Sequence, residues 1–374
     1  MEQKIVLVLL GFLFFSCVNH QSANEKENEF WTSTTDSIHF KYAQGITITT
    51  RSNGFDIISK SHSDNTYYKD HLFLPFHHEL EYPKLAKVVY ADFEKVCCQS
   101  STHLSFINQL NELDKVKGVC GFQYIINQEI RSKLEDNEIK ELCLGESTQL
   151  ETVLSIDPDI YFVYPFNATE VEDLEAKNVN TFMIGEYLEN DPLARLEWIK
   201  FFGLIFNKLD DAEAYFKTTE DAYNKLKMDK IDPEKQFFMN LPYGENWDAP
   251  SVNSLIVKLI NDAGLDYCFK DEVGTENIVK SKEEMWQTGA KMPYWIIIAS
   301  RPLDYSLADL VAEEEVYGTF KSVQEGKVIF CNTSNSEYFT KGVLEPHIML
   351  QEIKAAVNGD VQFAENYQYF TLLK

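Results

Sequence analysis

Residues 38–60 alternate apolar and polar positions. Ile38, Phe40 and Tyr42 are followed by Ile46 and Ile48, a Ser52-Asn53-Gly54 turn, and then Phe55 and Ile57. A period of two broken by turn residues predicts strand–turn–strand. Beyond residue 86 the rhythm changes. Lys87-Val88-Val89-Tyr90 reads as a short apolar strand, and Ser100-Ser101-Thr102 can cap a helix carrying Leu104, Ile107 and Leu110. Val116 to Val119 is the next strand, Gln149 to Ser155 a short helix, and Ile160 to Val163 and Thr181 to Ile184 two further strands. Asp191-Pro192 then supplies an N-cap with proline at the first helical position, and Leu193, Leu196, Ile199 and Phe202 follow three apart. A second helical stretch runs from Asp210 through Tyr215, Ala222, Tyr223 and Leu226. The strand–helix rhythm restarts at Gln236 to Met239. Ser254 to Ala263 is a helix closed by Gly264, Trp295 to Ile298 and Val328 to Phe330 are strands, and a last helix runs from Pro346 to near Gly359. Short apolar strands alternating with helices make parallel sheets. The predicted fold is α/β, with two parallel-sheet lobes joined by helix. The expected bounds are 37–190 for the N-terminal lobe, 191–230 for the inter-lobe helical segment and 231–374 for the C-terminal lobe.

The first residues follow a different pattern. An apolar run from Ile5 to Phe15 stops at Ser16-Cys17, with Lys4 and the amino terminus as a short positive flank. The run falls far short of the roughly 20 residues of a membrane-spanning helix and has the size of a secretory signal core. A small residue directly before cysteine resembles a bacterial lipobox, with Phe14 where leucine is usual. Residues 1–16 are therefore expected to be a signal peptide and Cys17 a lipidated residue. Residues 17–36, polar and without an apolar period, are read as a tether. These features predict a chain on the periplasmic side of a bacterial membrane, held to it by lipid.

Composition changes the picture in two places. The formal net charge of −25 argues against a nucleic-acid or anionic-lipid partner. Apart from Cys17 there are six cysteines, Cys97, Cys98, Cys120, Cys143, Cys268 and Cys331, whose spacings resemble no zinc motif. At least half are expected to be buried free thiols. Six cysteines allow 15 pairings and the sequence alone does not choose among them; a bond from Cys120 to Cys97 or Cys98 is one candidate, since all three fall near the ends of adjacent strands.

Several stretches resemble one family. Ser101-Thr102-His103-Leu104 through Leu110, followed by Val116-Lys117-Gly118-Val119, resembles the first strand–helix–strand of ABC-importer substrate-binding proteins of the iron-siderophore, haem and cobalamin class. The most specific match is Leu150-Glu151-Thr152-Val153-Leu154-Ser155-Ile156-Asp157-Pro158-Asp159-Ile160, a Glu-led helix running into a Pro-Asp turn and a buried strand. Asp191 to Gly203 resembles the inter-lobe helix, and Pro346 to Leu350 with Tyr369 to Leu373 resembles the close of the second lobe. The similarity covers about residues 38–374. It implies two α/β lobes joined by a rigid helical linker with a ligand cleft between the lobes, in a binding lipoprotein that captures a metal chelate and delivers it to an ABC importer permease in the inner membrane. A ferric siderophore ranks first as ligand, a corrinoid such as cobalamin second and haem third. The resemblance also implies that an exposed glutamate on each lobe meets arginines of the importer. Glu151 matches the first position and Glu283 the second, with Glu284 one residue away.

In open parallel sheets ligands bind beyond the carboxyl ends of the strands. In the first lobe this selects Thr102 and His103, Phe122 and Tyr124, and Tyr164 and Phe166. In the second it selects Tyr243, Trp247, Arg301 and Tyr338. Aromatic walls with few charges suit a flat or greasy chelate. Arg301 suits a carboxylate or catecholate, or an ordinary salt bridge within this acidic chain. Tyr243 and Trp247 suit a ligand wall or lobe packing. His103 lies near a helix N-terminus, and without a second histidine at matching spacing no metal-ligating set is expected. His77-His78 reads as a solvated pair. No Gly-x-Ser-x-Gly elbow and no His-Glu-x-x-His helix is present, so no catalytic residues, resident cofactor or protein-held metal are expected. The rival readings are an extracytoplasmic hydrolase, a binder of free metal ions, and a surface lipoprotein without ligand.

Overall fold

A computed structural model describes residues 34–63, 66–77, 87–145, 147–164, 168–272, 277–360 and 367–374. Cys17, the signal peptide, most of the tether, His78 and Phe166 lie outside the described residues.

The alternating N-terminal stretch forms a sheet of its own. Strands β1 (Thr34–Ile38), β2 (Ile46–Arg51), β3 (Gly54–Ser63) and β4 (Thr66–Pro75) pair antiparallel in sequence order, and β5 (Lys87–Val88) adds in parallel to β4. Two expectations are corrected here. β1 begins inside the predicted tether. Lys87-Val88 belongs to this first sheet, because its register partners are Leu72 and Phe73 of β4. The strand that feeds the capped helix is Val96-Cys97-Cys98.

That strand, β6 (Val96–Cys98), leads the first lobe. With β7 (Val116–Val119), β8 (Lys140–Glu141), β11 (Ile160–Val163) and β12 (Thr181–Met183) it makes a parallel sheet in the order β12-β11-β6-β7-β8. A small hairpin, β9 (Cys143–Leu144) and β10 (Ser147–Thr148), sits beyond β8. Ile160 to Val163 are buried at all four positions, as a strand covered by helices on both faces requires. Helix α1 (Ser101–Gln109) follows β6, and α2 (Leu150–Ile156) precedes β11.

Three helices then lead to the second lobe: α3 (Pro192–Glu197), α4 (Ile199–Ile205) and α5 (Leu209–Leu226). Asp191 caps α3 as predicted, its carboxylate accepting from Leu193 N at 2.8 Å. Acids of this region bind the loop before β2. Glu197 accepts from the backbone N–H of Lys41, Tyr42 and Ala43 at 2.8, 2.7 and 3.0 Å, and Glu189 accepts from Gly45 at 2.9 Å. These bonds tie the N-terminal sheet to the inter-lobe helices.

The second lobe carries β13 (Gln236–Met239), β15 (Asp266–Tyr267), β17 (Tyr294–Ala299), β18 (Val328–Asn332) and an antiparallel edge strand β19 (Thr371–Leu372), in the order β15-β13-β17-β18-β19. A separate ribbon pairs β14 (Asn246–Ala249) with β16 (Ile278–Ser281). Helices α6 (Lys282–Gly289) and α7 (Pro346–Asn358) complete the elements used below.

One apolar core runs through both lobes. Phe162 of the first, Phe202 of the linker, and Phe237 and Leu350 of the second belong to a single buried cluster. Close-packed interiors are poorly compressible, so a core shared by both lobes and the linker opposes their relative motion.

Candidate functional site

In the first lobe the strand order reverses between β6 and β11, and the carboxyl ends of these strands open a crevice. A cavity of about 390 Å³ lies there. Gln99, Ser100 and Ser101 enter it from the end of β6, Cys120, Gly121, Gln123 and Tyr124 from β7, Cys143 and Gly145 from beyond β8, and Tyr164 from β11.

Local bonds hold these walls in place. Gln99 clamps the two strands at the switch point. Its Oε1 accepts from Tyr164 N at 2.7 Å and its Nε2 donates to Glu170 at 3.3 Å. Ser100 caps α1 by accepting from Thr102 N at 3.1 Å. Gly121 takes φ +87°, a left-handed value that favours glycine, and a Cβ there would stand 3.1 Å from the Tyr124 ring. Glu141 accepts from Gly121 N at 3.1 Å and Phe122 N at 2.9 Å, which fixes the turn carrying Tyr124. Phe122 itself packs against the main core.

The wall also contains a disulfide. Cys120 is bonded to Cys143, not to the candidate partners Cys97 or Cys98. Cys120 lies past the end of β7, and the main chain beyond β8 runs beside it, Leu142 N donating to Val119 O at 3.0 Å. The Cα atoms of Cys120 and Cys143 are therefore 5.0 Å apart, a usual separation for a disulfide. Cys97 and Cys98 stay buried within β6 as free thiols, with burial pushing the Cys97 thiol up to about 12. Cys268 and Cys331 are also free.

The second lobe meets the rim of the crevice at Phe339. The hydroxyls of Ser101 and Thr102 both donate to the Phe339 carbonyl, at 3.3 and 3.2 Å. The Phe339 ring meets Tyr124 at 5.4 Å and Tyr338 at 5.2 Å. Phe339 and Tyr124 remain 43% and 51% exposed, so this pair forms an aromatic edge open to solvent. Phe339 lies one residue beyond the predicted Tyr338. Tyr338 is half-buried and also packs against Phe370.

Behind α1 lies a buried polar cluster. His103 is fully buried, its ring among Tyr164, Phe162 and Phe202 and its Nε2 3.6 Å from Glu186. This corrects its placement as a ligand-facing residue: the first turn of α1 turns it inward. Thr102 is likewise buried, and acts as a fastener between lobes. Arg195 of α3 donates to Glu186 at 3.3 Å and to the Thr102 hydroxyl at 3.4 Å. Burial pushes the Glu186 carboxyl up, but His103 and Arg195 outweigh it and hold it below the usual carboxylate value. Burial and the nearby Glu186 charge push the Tyr164 phenol up to about 12.

The periplasmic binding protein family model matches residues 96–334, from the first residue of β6 to just past β18. The chain belongs to this family. An uncharacterized lipoprotein of Methanocaldococcus jannaschii is 24% identical over 296 residues, which cover 76% of this chain and 70% of the relative. The periplasmic haem-binding protein HutB of Vibrio cholerae superposes with a TM-score of 0.58 at 12% identity, over 71% of this chain and 99% of that one. The petrobactin-binding protein YclQ of Bacillus subtilis gives 0.54 at 19% identity, over 81% and 98%. At these identities the two structures are likenesses of fold.

The binding protein uses other predicted residues differently. Trp247 is fully buried on β14, packed among the rings of Phe238, Trp295 and Tyr317 with its Nε1 donating to Met239 O at 2.8 Å. It is a core residue of the second lobe, because a ribbon strand and not an open loop carries it. Tyr243, at the turn leading into β14, is 87% exposed. Arg301 is paired within its own lobe, its Nε and Nη2 donating to Glu313 at 2.8 and 3.1 Å. Of its two readings the structure holds the salt bridge. Glu151 stands exposed in the first turn of α2 and Glu283 exposed in the first turn of α6. Glu284 is engaged in a capping box with Ser281. The residues missed from sequence are Gln99, Phe339, Arg195 and Glu186. Gln99 had a local signal, since it directly follows a buried strand. The other three depend on partners from distant parts of the chain.

Proposed function

We propose that this protein captures a metal chelate, a ferric siderophore foremost, in the crevice of the first lobe and delivers it to an ABC importer. Members of the family deliver small-molecule ligands to ABC importer permeases, and the family is extracytoplasmic. The observation that carries the chelate reading is the Tyr124–Phe339 aromatic edge over a cavity of about 390 Å³ with amide and hydroxyl walls. Such a lining grips a compact, partly apolar ligand and orients it with a few hydrogen bonds. Titrating pure protein with a ferric siderophore, a corrinoid and haem should quench its fluorescence with one of them. Tyr124→Ala and Phe339→Ala should each weaken that ligand by roughly 1–3 kcal/mol. Unchanged affinity in both variants would move the site, and no response to any chelate would remove the reading.

Docking is assigned to Glu151 and Glu283. Both are exposed, and the capping role of Glu284 supports Glu283 over its neighbour. Glu151→Arg with Glu283→Arg should leave folding and ligand affinity near wild type while uptake collapses, since like charges across an interface cost several kcal/mol. Near-normal uptake by a folded double variant would remove the assignment.

Lipid attachment at Cys17 is part of the same reading. A fatty-acyl label carried by the wild type and lost in Cys17→Ala is the expected result, and a label retained by that variant would refute it.

A further inference from the structure

We infer that the ligand of this crevice is an uncharged or cationic chelate, not an anionic one. The inference rests on the chelate-capture reading and specifies its charge class. The side chains that enter the cavity are neutral: Gln99, Ser101, Gln123, Tyr124 and Tyr164 offer amides, a hydroxyl and phenols. No lysine or arginine is among the described residues that line it. Carboxylates stand directly behind two parts of the wall. Glu141 accepts from the N–H of Gly121, and Glu170 accepts from the Gln99 amide. An anion in the cavity would face these charges across a wall that gives it no counter-charge.

Arg195 and Arg301 are each already paired with a carboxylate. Arg195 reaches the back of the wall at Thr102 but is held by Glu186, a carboxylate that is fully buried. Arg301, the guanidinium that could have received a catecholate or carboxylate, is bound through two of its nitrogens to Glu313. The N-terminus of α1 is a partial positive end, but its Thr102 N–H is taken by the Ser100 hydroxyl. The net charge of −25 adds a repulsive field for any anion that approaches. An anionic chelate, such as a ferric tris-catecholate or haem with its two propionates, would lose its hydration without a compensating partner. A ferric tris-hydroxamate, neutral or singly positive, would not.

Four probes test this on the full mature chain: a neutral and a cationic ferric tris-hydroxamate, a ferric tris-catecholate, and haem. The expected result is binding of at least one hydroxamate about 100-fold tighter than either anion. Added salt should weaken the cationic probe more than the neutral one. Gln123 is exposed, so Gln123→Lys should keep the fold. It should improve binding of the tris-catecholate and weaken the cationic hydroxamate, each by about tenfold. Tighter binding of the tris-catecholate or of haem by wild type would overturn the charge assignment and leave the chelate reading standing. No binding of any of these probes or of cobalamin, by wild type or by Gln123→Lys, would overturn both.

Discussion

Trp247→Ala is expected to lower the unfolding free energy by about 3–5 kcal/mol, the range for emptying a packed aromatic site. The indole is fully buried. Its ring centroid lies 6.1 Å from Phe238, 6.0 Å from Trp295 and 6.4 Å from Tyr317. The substitution removes these contacts and also leaves the Met239 carbonyl without the indole N–H that donates to it. Trp247→Phe separates the two effects. It retains most of the apolar volume and loses the hydrogen bond, so it should cost about 1–3 kcal/mol. Urea unfolding of the two variants measures both values. Should the Ala variant lose less than about 1 kcal/mol, the indole would not be a core residue. In the fraction that stays folded, chelate affinity should match wild type, because the residue points away from the crevice and into the second lobe's own apolar cluster.

Loss of the Cys120–Cys143 bond is the second large effect. The two cysteines are 23 residues apart, and releasing a loop of that size is expected to cost about 3 kcal/mol through the unfolded chain. The consequence is local as well as global. The bond joins the turn carrying Tyr124 to the hairpin carrying Gly145, and both line the cavity. A dithiol reductant, or Cys120→Ser with Cys143→Ser, should therefore lower the melting temperature and weaken chelate binding together. Thiol titration of the denatured, unreduced chain should show the pair as oxidised. If the double Ser variant melts like wild type, the bond contributes no stability. If it binds like wild type, the wall does not depend on the bond.

Both predictions concern residues whose role the chain pattern left open, and the reason is physical. Strands and helices leave local marks. Ile160 to Val163 read as a buried strand because four consecutive apolar residues suit a sheet covered on both faces, and all four are buried. Asp191-Pro192 read as a helix start because the cap and the proline act within one turn, and the carboxylate bonds Leu193 N. Gln236 to Met239 and Val116 to Val119 occupy their predicted bounds for the same reason. The order of these elements was enough to predict an α/β chain with two parallel-sheet lobes and helices between them.

Side chains in loops answer to partners that local pattern does not reveal. Trp247 follows a glycine-bearing turn in a way that suits either a cleft or a core. Only its register against Lys280, 33 positions along the chain, turns it inward. Arg301 could have met a ligand until folding brought it Glu313. Cys120 had several candidate partners, and the path of the chain beyond β8 chose Cys143. His103 followed a helix cap, yet the axis of α1 places it against Glu186 and not in the crevice. The N-terminal sheet was half legible. Its β2–β3 hairpin lay in the alternation, whereas the pairing of β5 with β4 is a long-range choice. The sequence by itself thus determined the elements and their order, because periodicity and capping are local. Only the tertiary structure decided which loop side chains face the crevice and which charges are already neutralised, because both depend on what the rest of the chain brings against them.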